Sequence, residues 1–406
     1  LALERLVMAP AVVYLHIGSP KTGTTYLQGS MWANRAALRA DGVLLPGKSR
    51  SFVTNAVSDL NKWRPGKGAL PSSWQRLVEE VDAWSGRSVV LSHEHLHKAT
   101  APQFQALVDS FPGTRIEVVL TTRDLARSVP AQWQSSVRQR HTWTLGEYAD
   151  AVSAVAPAEG LTGAAEHFWR RQDSSGIVGR FVERVGLDQV RIVTVPPSGG
   201  DPDELWWRFA RACDLSRETT RPGAVSHESL GAASAEVMRR LNGSPAVEAL
   251  SLPQYKKAIN HVLSRHALAP RRGQEPGLVL PEQHRDWAER AAERMIEQLA
   301  ATGVEVIGDL DDLRPRPSSK PYVDPALLPA EQLLEAALDG IGGMATEYVD
   351  LRRELDSAQQ GGAKKAVKKA AAAAQAQVAR TLPSDPAGGT SVRPAAVDRV
   401  LRRLKR

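Results

Sequence analysis

Cysteine is almost missing from this chain. Cys213 is the one thiol in 406 residues, so no disulfide can form within it and a cysteine-based zinc site is excluded. That scarcity suits a reducing compartment, and a cytoplasmic location is expected. Long apolar runs are missing too: no stretch of about 18 apolar residues occurs, so no membrane-spanning helix is expected. Leu1 to Ile17 lacks the basic start and extended apolar stretch of an export signal. No internal repeat stands out. A basic body is also lacking, although the net charge is +7. From Gln359 onward eleven Lys and Arg face only Asp385 and Asp398, a surplus of nine, which leaves the rest near −2. The basic charge therefore describes a tail, read as solvated and disordered. No nucleic-acid partner is expected from it.

What is present is an alternation of strands and helices. "VVYLHI", Val12–Ile17, reads as a buried strand, and Ser88–Glu94, Arg115–Arg123 and Gln189–Val195 follow as three more. Helical spacing covers Thr25–Ala40, Ser73–Trp84, Pro102–Ser110, Asp124–Gln139 and Glu166–Val185, and after Asp201 the reading is helical. The pattern predicts an α/β fold with a mainly parallel sheet flanked by helices, a three-layer sandwich of the P-loop type. Ligands of such sheets sit beyond the carboxyl ends of the strands. The domain reading is a body over 1–313 (nucleotide-binding core 10–200, helical part 201–313), a linker with an amphipathic helix over 314–358, and the low-complexity tail over 359–406.

One short stretch carries most of the chemistry. In "HIGSPKTGTTYLQ", Gly18 and Gly23 have the spacing of a phosphate-binding G-x-x-x-x-G-K-[ST] loop, yet Thr24 stands where the lysine belongs, and Lys21 comes three residues early. Such a loop aims successive N–H groups inward as an anion nest, and the following helix adds a favourable dipole. Thr24 and Thr25 supply hydroxyls and Lys21 a point charge. The missing lysine counts against ATP or GTP beside Mg²⁺.

"GSPKTGTTYLQ" resembles the 5′-phosphosulfate loop of sulfotransferases that use 3′-phosphoadenosine 5′-phosphosulfate (PAPS), and the chain is similar to bacterial sulfotransferase-like proteins. The resemblance implies that Lys21, Thr22, Gly23, Thr24 and Thr25 hold the phosphosulfate. It implies an arginine at a later strand end and a helix serine on the nucleotide 3′-phosphate; in "VVLTTRDLARSVPAQW" these are Arg123 and Ser128. The serine stands three residues closer to the arginine than the family spacing, and Arg127 could share the task. It implies a base after a strand near the loop, and "VVLSHEHL" offers Glu94, with His93 as the alternative. Lys21 then acts on the bridging oxygen. "RRG", Arg271–Gly273, is the counterpart of a C-terminal loop that places Arg272 and Gly273 on the 3′-phosphate. The implied activity is sulfuryl transfer to a hydroxyl acceptor (a carbohydrate, lipid or small metabolite) without a metal. His93, His95 and His97 alternate but lack a second cluster that would make them metal ligands. Two readings compete: a small-molecule kinase of the same fold, and a non-catalytic protein whose helical C-terminus is the working part.

Overall fold

The computed structural model describes residues 10–218, 220–223, 229–318 and 321–381, the stretch 359–381 by its backbone only. Six strands form one sheet: β1 (Val12–Gly18), β2 (Val43–Leu44), β3 (Ser88–Ser92), β4 (Arg115–Thr122), β5 (Val190–Thr194) and β6 (Glu305–Ile307), in the order β2-β3-β1-β4-β5-β6. All pairings are parallel. The parallel α/β architecture expected from the sequence is the one found.

Parallel sheets are buried on both faces, because each crossover lays a helix on the sheet. β1 shows this residue by residue. Val13, Leu15 and Ile17 enter one core with Trp133, Phe168, Ile177 and Phe181. Tyr14 on the opposite face joins Leu27, Met31, Trp206 and Phe209.

The chain runs from β1 to β2 and β3 on one side, then crosses to β4 on the other. That reversal beside β1 is the switch point where a crevice opens at the carboxyl edge of such sheets. Four helices bear on that edge: α1 (Thr24–Ala33), α2 (Arg50–Lys62), α3 (Leu125–Arg138) and α4 (Gly163–Gln172).

Several boundaries differ from the periodicity. The helix expected over 25–40 breaks at Asn34, whose side chain donates to Arg221 O at 2.6 Å. The one expected over 166–185 is two helices, because the Asp173 carboxylate caps the second by accepting from Gly176 N–H at 3.0 Å. β2 and β6, two and three residues long, escape pattern reading altogether.

The chain divides into two compact units, Leu1–Met344 and Ala345–Arg406. A helix spans Ala330–Thr381. Its backbone runs into the tail that composition assigned to disorder, as the high helix propensity of Ala, Lys and Gln favours. The remainder of that tail, 382–406, lies outside the described residues.

Candidate active site

The loop after β1 is built on left-handed backbone. Gly18, Lys21 and Gly23 have φ of 77°, 69° and 85°. Glycine is required twice over: a Cβ on Gly18 would stand 2.9 Å from Glu94 Cβ, and one on Gly23 would stand 2.5 Å from the Leu205 side chain. Lys21 holds the same region with a side chain, at a cost on the order of 1 kcal/mol, a kind of strain that clusters at ligand sites. Ser19 N–H donates to Thr121 O at 2.7 Å and fixes the loop to β4. Among the described residues the N–H groups of Thr22, Gly23 and Thr24 find no main-chain acceptor. This is the nest geometry, at the N-terminus of α1.

Beneath the loop runs a buried chain of hydrogen bonds. Ser92 Oγ meets His16 Nδ1 at 2.7 Å, and His16 Nε2 meets Thr121 Oγ1 at 3.3 Å. Thr121 Oγ1 meets Thr22 Oγ1 at 2.5 Å, and the Thr22 hydroxyl donates to Ser19 O at 2.5 Å. One proton arrangement satisfies all of it: Ser92 donates to a neutral His16, which donates to Thr121, which donates to Thr22. Burial pushes the His16 imidazole down to about 4, Glu94's charge opposing and His93's assisting, which agrees with the neutral ring. The Thr22 side chain is thereby turned into the protein. Thr24 is buried and Thr25 exposed.

Past β3 the chain makes a tight turn, Glu94–Lys98. Glu94 lies against Gly18, at the mouth of the loop, and accepts from Gln28 Nε2 at 3.3 Å. Burial alone would raise its carboxyl. His93, the backbone amide, His95 and Gln28 outweigh burial and hold it below the ordinary carboxylate value. Both nitrogens of His93 are engaged: Nδ1 accepts from His95 N–H at 3.1 Å, and Nε2 meets Thr54 Oγ1 at 3.2 Å. Burial lowers its pKa. His97 points elsewhere, toward Glu94 O. Among the described residues no group of three His, Cys, Asp or Glu could hold a metal ion.

At the end of β4, Asp124 caps α3 by accepting from Arg127 N–H at 2.8 Å. Arg127 pairs with Asp124 and donates to Pro196 O at 2.9 Å, so its guanidinium is committed to the fold. Arg123 differs. Its Nη2 donates to Arg127 O at 2.7 Å, while its Nε is buried without a partner. Burial pushes it down to about 10, with Asp124 favouring and Arg127 opposing the charge. Ser128 is wholly buried and its hydroxyl has no partner either. One turn on, Gln132 Nε2 donates to Pro20 O at 3.1 Å, and Gln172 Nε2 reaches the same oxygen at 2.7 Å. Residues four apart share a helix face, so Ser128 lies on the face that meets the loop. Ser19 Oγ in the loop is unpartnered as well.

In the "RRG" turn, Arg271 is engaged within the fold. Arg271 bonds Glu275 at 2.9 Å and pairs with Asp339, which ties the start of the helix from Ala330 to the body. Arg272 is half-buried and Gly273 has open space around it. Sequence reasoning missed His16, Ser19, Gln28, Gln132 and Gln172. For His16 a signal existed, a titratable ring inside an apolar strand. The two clamping glutamines had none.

No protein-family model matches the chain, and no curated protein matches it. Among solved structures it is similar to the crystal structure of a sulfotransferase from Alicyclobacillus acidocaldarius, at 14% identity. The match covers 61% of this chain and 98% of that one, with a TM-score of 0.32. A superposition this loose carries no argument about chemistry, which has to come from the site itself.

Proposed function

We propose that this chain transfers the sulfuryl group of PAPS to a hydroxyl acceptor. The observation that carries the reading is the pair of buried donors without partners, Arg123 Nε and Ser128 Oγ, on the segment that clamps the Pro20 loop. A buried donor left unpaired costs roughly 1–3 kcal/mol, and an anion in reach of both removes that cost. A nucleotide with phosphates at both ends of its ribose fits a nest on one side and these donors on the other. The absence of a lysine at position 24 disfavours ATP with Mg²⁺.

In this reading the amides from Lys21 to Thr25 hold the phosphosulfate, with the Thr24 and Thr25 hydroxyls beside them. Arg123 and Ser128 take the 3′-phosphate. Glu94, ionised and oriented by Gln28, removes the acceptor proton as the acceptor oxygen bonds to sulfur. The Lys21 ammonium stabilises charge on the bridging oxygen as the sulfur–oxygen bond to phosphate breaks and the 3′,5′-bisphosphate departs. With both ring nitrogens engaged, His93 braces the turn, and Glu94 is the base.

Calorimetry with 3′,5′-adenosine bisphosphate and with ATP–Mg²⁺ tests the reading. The bisphosphate is expected to bind, with affinity falling about a hundredfold in Arg123→Ala, the worth of a charge-assisted contact. Binding of ATP without binding of the bisphosphate would favour the kinase and overturn it.

A further inference from the structure

The helix that begins at Ala330 inverts the usual arrangement, with small residues inside and large apolar ones outside. Leu333 and Ala336 on its inner face are buried with Ala232, Ala233 and Leu328. Gly340 and Gly343 lie against the segment Lys256–Leu268. A Cβ on Gly340 would stand 2.8 Å from the Leu263 side chain, and one on Gly343 would collide with Ala267. Glycine weakens a helix interior, and this close approach is what requires it. The other side of the helix is left in water. Leu334, Leu338, Ile341 and Tyr348 are 58%, 56%, 64% and 68% exposed. Among the described residues eleven large apolar side chains are exposed, and seven of them belong to this helix. Single exposed apolar residues are ordinary, whereas a row of them marks an interaction surface.

The row has a period. Leu334, Leu338, Ile341, Ala345, Tyr348, Arg352 and Leu355 follow one another at spacings of four and three, the repeat of a coiled-coil seam. Charge is divided along the same helix. Residues 330–358 hold seven Asp and Glu against Arg352 and Arg353, a net −5. Residues 359–381 hold five Lys and Arg and no acid, a net +5. The backbone is helical through both stretches. A parallel pair of such helices sets acidic stretch on acidic stretch, basic on basic, and Arg352 on Arg352. An antiparallel pair lays each acidic stretch along the basic stretch of the other copy, where unlike charges attract. It also brings an alanine-rich sequence beside the large side chains of the seam.

We infer that this helix is a dimerisation arm, pairing antiparallel with the same helix of a second copy through the Leu334–Leu355 seam. The partner is the same chain because one helix carries both halves of the charge match. The pairing does not depend on the sulfuryl-transfer reading.

Sedimentation of the full chain across roughly 1–100 µM tests it. Twice the chain mass is expected, with the dimer loosening as salt is raised. Leu338→Glu combined with Ile341→Glu puts two charges in the seam and is expected to weaken the dimer at least about a hundredfold. Ser357→Glu, off the seam, leaves it intact. A wild-type chain that stays monomeric leaves the row to some other partner and overturns the self-pairing, as does a dimer that the seam variant holds equally tightly. A dimer that salt tightens overturns the charge match. Near-ultraviolet circular dichroism, carried by the tryptophans of the body, shows whether the seam variant is folded, and cross-linking judges the pairing without that variant. Cys213 is buried, so introduced thiols report alone. A mixture of Leu334→Cys and Arg380→Cys chains is expected to form the mixed disulfide, and Leu334→Cys joined to itself overturns the antiparallel pair.

Discussion

Two polar clusters sit at the carboxyl edge of the same sheet, and they are built in opposite ways. At the end of β5, Thr194 donates to Asp312 at 2.8 Å, and Arg208 pairs with Asp312, donates to Thr194 O at 3.1 Å and holds Glu204 at 2.8 Å. Every strong group there has its counterpart within the chain. At the ends of β1 and β4, Ser19 Oγ, Arg123 Nε, Ser128 Oγ and Gln132 Oε1 are buried and lack one. Folding alone accounts for the first cluster. The second is costly unless a ligand completes it, and in the proposed reading that difference separates a brace from a site.

The comparison can be broken in several ways. The largest expected effect is on rate: Glu94→Gln should lower kcat by about 10²–10⁴, the worth of a positioned base, with bisphosphate affinity held. Turnover of labelled PAPS measures it, and an unchanged kcat would remove Glu94 as base. Next comes the brace. Arg208→Ala leaves Asp312 buried without its cation and should cost about 3–5 kcal/mol in urea unfolding, whereas folded protein keeps its nucleotide affinity.

Arg123→Ala should do the reverse: the roughly hundredfold loss of bisphosphate affinity with little change in the unfolding midpoint. Ser128→Ala sharpens the contrast further. Bisphosphate should bind about tenfold more weakly, while stability holds or rises, because an unsatisfied hydroxyl has been removed. A clear drop in its midpoint would make Ser128 structural.

A separate expected effect is on acid stability. His16 and His95, held neutral by burial, titrate near about 4 in the fold against about 6.5 when unfolded. The unfolded chain binds more protons between those values, so stability rises with pH there and falls as pH drops from about 6.5 toward 4. Urea midpoints near pH 7 and about pH 5 check this, and equal midpoints would contradict the buried neutral rings.

Much of this was legible locally. The glycine spacing and the early lysine of Gly18–Thr25 define the loop because the glycines answer a backbone demand, positive φ, that few other residues meet. β1, β3, β4 and β5 are legible as short apolar runs. Glu94 and Arg123 come from the resemblance, and both stand just past parallel strands, where the crevice of such sheets opens. Thr22 shows the limit of the method: it belongs to the motif, yet its hydroxyl faces Thr121, 99 positions away. Arg127 and Arg123 are of one type and four residues apart, and it takes the folded chain, with Asp124 and Pro196 O both on Arg127, to distinguish the committed guanidinium from the available one.

The sequence by itself determined the strand–loop–helix unit, the alternation that makes the sheet parallel, and the residue types at its carboxyl edge. These depend on local conformational preference and on the spacing of apolar side chains, which are properties of neighbouring residues. Tertiary structure alone decided which polar atoms have partners: Gln172 on Pro20, and His16 between Ser92 and Thr121. Hydrogen bonds and electrostatic forces act over a few ångströms of space. Whether a buried donor is satisfied or waiting is therefore settled only when chain segments far apart in sequence meet.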